Sequence, residues 1–430
     1  MRNVRRILLA LAFTLATLAH AQGATIDCVT DAPATITFMG DPVGNAAEIE
    51  RETVAAFNEA CPHITVTIVS GPASASDLLA NYLTMLEGQS GDIDVMRVDV
   101  IWPGILAENL VDLMPYFSDE ELAAHFPGFI QNNIIGDKMA AIAFRLGAGM
   151  LYYRTDLLER YGFDGPPATW DELEGMARTI QEGERAEGNA DFWGFVWQGN
   201  NYEGLTTNAL EWQVSEGGGS IVSPAGDVEV ANDATIRAFE RAAGWVGTIS
   251  PPGVVGYVED DARGVWHAGN AAFMRNWPYA YSISFDSEAI GDVFDVAALP
   301  AGASGTSAAA MGGWSIGVNR YSANVDAAVA FAKYFASYDE QKRRAIRSSI
   351  NPTIAALYQD ADVIEAVPFF AGLDSVFMGA TPRPSTVTGT RYNRVSTLYS
   401  TAVHSILTGG EDAETALTLL ELDLESLLGN

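Results

Sequence analysis

The sequence predicts an α/β protein of two domains, on three observations. Short β-branched runs alternate with amphipathic helical stretches, the pattern of packed α/β units. At 430 residues the chain is too long for one ordinary core. Three stretches, around Arg145–Gly149, Pro300–Ala310 and Asn351-Pro-Thr353, have the composition of connections between domains. Three crossings make each domain discontinuous, with boundaries expected at 27–144 with 298–350 and at 145–297 with 351–430.

Residues 1–21 have the pattern of a secretory signal peptide. Arg2, Arg5 and Arg6 precede the apolar run Ile7–Leu18, and Ala19-His20-Ala21 supplies a small-x-small cleavage site after Ala21. The apolar run is too short to span a bilayer, which takes about 20 residues. An exported chain, located in the periplasm, is expected. The net charge of −31 becomes −34 once the three arginines are removed. Such acidity argues against nucleic acid and against an anionic membrane surface as partners. Cys28 and Cys61 are the two cysteines of the chain. In an oxidising compartment they are expected to pair. Neither the cysteines nor the five scattered histidines have metal-ligand spacing, so no metal and no cofactor is expected.

The first domain opens with Thr35–Met39 as a strand, followed by a helix whose Ala47, Val54, Phe57 and Cys61 form one stripe. His63–Val69 alternates as a second strand, and Ile93–Val98 forms a third that stops at Asp99. Glu48, in the first turn of the helix, and Asp99 therefore fall just past strand C-terminal ends, the edge where open α/β sheets bind ligands. Helix-dipole compensation by Glu48 and capping by Asp99 are the bland alternatives. Met139–Phe144 is a strand running into Arg145-Leu-Gly-Ala-Gly149, a permanent cation beside two glycines.

In the second domain, Thr155–Tyr161 and Thr169–Glu182 read as helices, the latter opened by the capping box Thr169-Trp-Asp-Glu172. Phe195 and Val196 suit a core, and Trp197 and Gln198 a pocket wall. Asn232–Gly247 and Ala413–Leu428 are amphipathic helices, and Val293–Leu299 is a strand. Trp277, Tyr279 and Tyr281 crowd together with Pro278 between the first two, which reads as a rigid loop presenting aromatic faces. A sugar ring offers such a face its apolar C–H side. Gly312 and Gly313 precede Trp314, where missing side chains let backbone approach a ligand beside the indole.

Several motifs occur in order: Leu151-Tyr-Tyr-Arg-Thr-Asp-Leu-Leu158, Thr169-Trp-Asp-Glu-Leu173, Phe192-Trp-Gly-Phe-Val-Trp-Gln-Gly199, Tyr202-Glu-Gly204, Gly269-Asn-Ala-Ala-Phe273, Asn276-Trp-Pro-Tyr-Ala280 and Gly312-Gly-Trp314. Together they resemble the sugar-binding receptors of bacterial ABC importers, in the trehalose/maltose-binding branch. The resemblance implies a periplasmic-binding-protein fold, two discontinuous α/β lobes joined by a hinge with a ligand cleft between. It implies hydroxyl recognition by Glu48 and Asp99, stacking by Trp277, Tyr279 and Trp314 beside Gly313, and a cleft role for Arg383 in Pro382-Arg-Pro384. Where the branch carries an aspartate at the crossover this chain has Gly147, with Arg145 two residues earlier. That departure sets a glycoside bearing an anionic group beside the neutral disaccharide. No catalytic residue is expected, and the partners implied are the sugar and the permease subunits of an importer, met by a monomer. Glycoside hydrolysis by paired carboxylates is the competing reading.

Overall fold

The computed structural model describes residues 28–429, apart from 43–45, 73–74, 372, 374–375 and 378–379. The expected signal peptide lies outside the described residues.

A five-stranded sheet forms the first lobe: β1 (Ala34–Gly40), β2 (Ile64–Ser70), β3 (Val95–Asp99), β4 (Ile142–Ala148) and, much later in the chain, β9 (Met311–Val318). Their spatial order is β2-β1-β3-β9-β4. β1 runs parallel to β2 and β3, whereas β9 is antiparallel to both of its neighbours. The returning strand is thus inserted between β3 and β4 in a sheet begun nearly three hundred residues earlier. On one face the sheet packs α1 (Ala46–Ala60) and α7 (Val325–Ala336), with Phe38, Phe57, Phe331 and Phe335 meeting at ring separations of 5.2–5.6 Å. On the other lies α2 (Ala75–Glu87), whose Leu78, Leu79, Tyr82 and Leu86 are buried. Cys28 and Cys61 form a disulfide that ties the start of the described chain to the end of α1.

The second lobe is built on β5 (Met150–Arg154), β6 (Trp193–Val196), β7 (Ala271–Asn276) and β8 (Phe294–Ala297), ordered β8-β5-β7-β6. Around it lie α3 (Trp170–Ala186), α4 (Glu203–Glu216), α5 (Asp233–Trp245) and α6 (Glu259–His267). α8 (Tyr338–Ser348) joins the first lobe through Arg343 and Arg347, which both pair with Glu52 of α1. α9 (Tyr392–Leu407) packs on α4, and α10 (Ala413–Leu428) packs on α9. The Thr169 capping box is formed, and Asn232 caps α5.

Three readings change. β4 extends through Arg145 and Leu146 to Ala148, so the stretch read as a glycine-rich connection is sheet. The aromatic segment is not one loop: β7 runs through Asn276 between β5 and β6, and Ala280–Ser284 is a short helix. Tyr281 on that helix stacks on Phe369 at 3.8 Å and so belongs to packing. Trp197 and Gln198 are fully buried, not a pocket wall. Trp197 joins Trp212 and Trp245 in an edge-to-face cluster, the low-energy arrangement for indoles.

Candidate functional site

The C-terminal ends of β1 and β3 come close to Trp314, which lies in the middle of β9 opposite Arg145 of β4. In the sheet register Trp314 faces Asp99 on one side and Arg145 on the other, and the ladder shifts between Trp314 and Ser315. Such an irregularity re-aims a side chain at the rim of a sheet. Gly313 makes it possible: its φ is +131°, and a Cβ there would meet the Arg145 carbonyl oxygen at 2.3 Å. The half-buried indole has Trp102 edge-on at 5.5 Å and the Arg97 guanidinium 4.6 Å from its centroid, with that of Arg145 at 5.8 Å.

Charge is balanced locally. Asp41, at the end of β1, lies 3.0 Å from Arg97 and 3.5 Å from Arg145. Glu50 accepts the Asp41 backbone N–H at 2.7 Å. Burial pushes the Glu50 carboxyl up to about 7, outweighing that hydrogen bond and the nearby arginines. Asp99 accepts the Ile101 N–H at 3.2 Å, closing a turn before Pro103. Its carboxyl is likewise raised to about 6 by burial, against the pull of Arg383.

Residues of the second lobe approach the same place. Trp277 follows β7, and its ring lies against Gly312 so closely that a Cβ there would be 2.7 Å from Cζ3. Its indole N–H donates to Glu259 at 3.2 Å, and the Tyr202 hydroxyl donates to the other oxygen of that carboxylate. Arg383 is buried, giving one nitrogen to Glu203 at 2.6 Å and another to the Met311 carbonyl at 3.1 Å. Tyr392 and Ser396 of α9 donate to the Glu203 carboxylate as well.

The structure therefore brings Asp99, Arg145, Gly313, Trp314, Trp277 and Arg383 to one place. Tyr279 is exposed, with its hydroxyl 3.4 Å from Asp260. Glu48 stands apart: it is exposed on the face of α1 that it shares with Glu52, which pairs with Arg343 and Arg347. The buried carboxylate of that helix is Glu50. Sequence reasoning passed over Glu50, Asp41, Arg97, Glu203 and Glu259. Glu50 had a usable signal, because its spacing to Val54 and Phe57 puts it on the apolar stripe.

Among the described residues no group of histidine, cysteine and acidic side chains is arranged to hold a metal, and no helix is long and apolar enough to cross a membrane. What the site offers is flat aromatic surface, hydrogen-bond acceptors and compensated cations.

Known proteins agree with this architecture. A probable ABC transporter-binding protein of Deinococcus radiodurans is 45% identical over 422 residues, covering 98% of this chain and 97% of that one. The maltose-bound MalE3 of T. maritima superposes with a TM-score of 0.85 at 36% identity, over 92% of this chain and all of that one. The GacH receptor of Streptomyces glaucescens, solved unliganded and with acarbose, gives a TM-score of 0.80 at 24% identity over 92% and 99% of the two chains, a likeness of fold. The model of the bacterial extracellular solute-binding proteins matches residues 43–342. With two α/β lobes, a hinge and a cleft between them, the chain belongs to the bacterial extracellular solute-binding protein family.

Proposed function

We propose that the protein is the periplasmic receptor of an ABC importer for a neutral disaccharide of the maltose or trehalose type. The observation that carries this reading is Trp314 beside Asp99, a partly exposed indole next to a carboxylate whose Arg383 neighbour stands 3.9 Å away and makes its short contact to Glu203. An indole takes the apolar face of a sugar while a carboxylate accepts its hydroxyls. The 36% identity to a maltose-bound structure supports the same ligand class. Trp277 supplies the second aromatic surface, and the exposed Tyr279 the rim of the cleft.

Arg145 favours a neutral ligand, because Asp41 already stands 3.5 Å from it and offsets part of its charge. The anionic glycoside is the second reading, since the Arg145 side chain keeps 28% exposure. A ligand touching both lobes draws the open state toward the closed one by its differential affinity. The permease then meets the closed monomer. Catalysis has little support. Hydrolysis needs two carboxyls flanking a scissile bond, and the acids near Asp99 are engaged, Asp41 by two arginines and Glu203 by Arg383.

A thermal-shift panel of maltose, trehalose and a uronic-acid disaccharide tests the proposal, because binding raises apparent stability by mass action. A neutral disaccharide should stabilise the protein most, with no products after prolonged incubation. Stabilisation by the uronic acid alone, sensitive to salt, would favour the anionic reading.

A further inference from the structure

Beneath Trp277 lies an ion pair that contacts no cleft surface. Arg275 of β7 and Glu211 of α4 are each 1% exposed at the side chain. The guanidinium meets both carboxylate oxygens, at 2.9 and 2.5 Å, and gives a third hydrogen bond to Gln198 at 3.1 Å. Gln198 in turn donates to the Arg275 carbonyl at 2.9 Å. Stability alone is a poor reason for such a pair, because hydrophobic replacements of buried ion pairs are often neutral or stabilising.

Its neighbours suggest a different reason. One Glu211 oxygen also accepts the N–H of Ala310 at 3.0 Å, immediately before β9. A Cβ at Gly149, between β4 and β5, would lie 2.0 Å from that same oxygen, so the other crossing strand passes in contact with the pair. On the opposite side, the Arg275 guanidinium lies 4.2 Å from the Trp277 ring centroid. The indole is thus held at three places: one face on Arg275, the benzo ring against Gly312 and the N–H on Glu259.

The geometry points to Glu211 and Arg275 as a positioning pair that sets the plane of Trp277 against both crossing strands. The pair acts through the indole and touches no ligand. The inference rests on Trp277 being a stacking residue for the sugar, and it ties that platform to the hinge.

The test uses the exported chain labelled with 5-fluorotryptophan, the Trp277 signal being assigned with Trp277→Phe. Glu211→Gln keeps the shape of the pair and removes its charge, while Arg275→Lys keeps the charge and removes the flat guanidinium. In either variant, without ligand, the Trp277 fluorine resonance should move while that of Trp193 stays. Maltose affinity should fall about tenfold, within the usual range for coupled neighbours. Adding Trp277→Ala to either variant should lose nothing beyond Trp277→Ala alone. An unmoved Trp277 resonance, or losses that multiply in the double variant, would overturn the assignment. Failure of both variants to fold would reduce the pair to a core element and overturn it as well. If the wild type binds no disaccharide, the ligand reading falls, and the ligand-free resonance still decides the positioning role.

Discussion

Asp99 stands 3.9 Å from the Arg383 guanidinium, which gives its short 2.6 Å contact to Glu203 instead. A carboxylate so placed is half-buried without a tight counter-charge, and burial raises its pKa to about 6. Hydroxyl donors of a bound sugar would complete its coordination. Sugar affinity should therefore fall as pH drops through about 6 and Asp99 takes up a proton. Asp99→Asn should weaken binding by about 10- to 100-fold, the range for a hydrogen bond to a charged group, and flatten this pH dependence. Calorimetry between pH 5 and 8 checks it; an unchanged profile in Asp99→Asn would assign the titration elsewhere.

Glu50 should appear in stability. Its folded pKa of about 7 exceeds the ordinary 4.5, so the folded state binds the proton more tightly than the unfolded chain. That contribution is fully present below 4.5 and is lost as pH rises through about 7. From pH 5 to pH 8 the wild type should lose thermal stability relative to Glu50→Gln, which carries no titrating group there. Parallel Tm curves for the two proteins would contradict this.

The Cys28–Cys61 disulfide closes the chain around β1 and α1 of the first lobe, whereas Trp277 follows β7 of the second. Replacing both cysteines with serine should cost about 2–4 kcal/mol, mainly by loosening the unfolded chain. Denaturant titration measures the loss, and sugar affinity should stay at the wild-type value. A large loss of affinity would mean that the disulfide shapes the site.

Much of the first lobe was legible because its strands are β-branched runs at regular spacing, as in Thr35–Met39 and His63–Val69. β7 was not. Its Ala271, Ala272, Arg275 and Asn276 lack a strand's usual hydrophobic signal, and Arg275 is buried only because Glu211 waits for it from α4. No local pattern announces a partner 64 residues away. The same limit hid Gln198, whose burial depends on the Arg275 backbone and side chain. Glu48 shows a different limit: resemblance pointed to that position, whereas helical phase puts Glu50 on the buried face. Gly149 stands in a stretch that reads as a connection between domains, and its role is close approach to the Glu211 carboxylate. The aromatic platforms were legible as residues but not as a geometry, since the Arg97 guanidinium against Trp314 comes from another strand, and Arg275 against Trp277 is held there by Glu211 from α4.

The central claim is that a neutral disaccharide stacks on Trp314 in the cleft. Calorimetric titration of maltose and trehalose into the wild type and Trp314→Ala tests it most directly. One of the two sugars should bind the wild type saturably at one site per chain. Trp314→Ala should lose about 30-fold or more, as for a dominant aromatic contact, with an unchanged circular dichroism spectrum. Absence of saturable binding by either sugar, or equal affinity in Trp314→Ala, would contradict it.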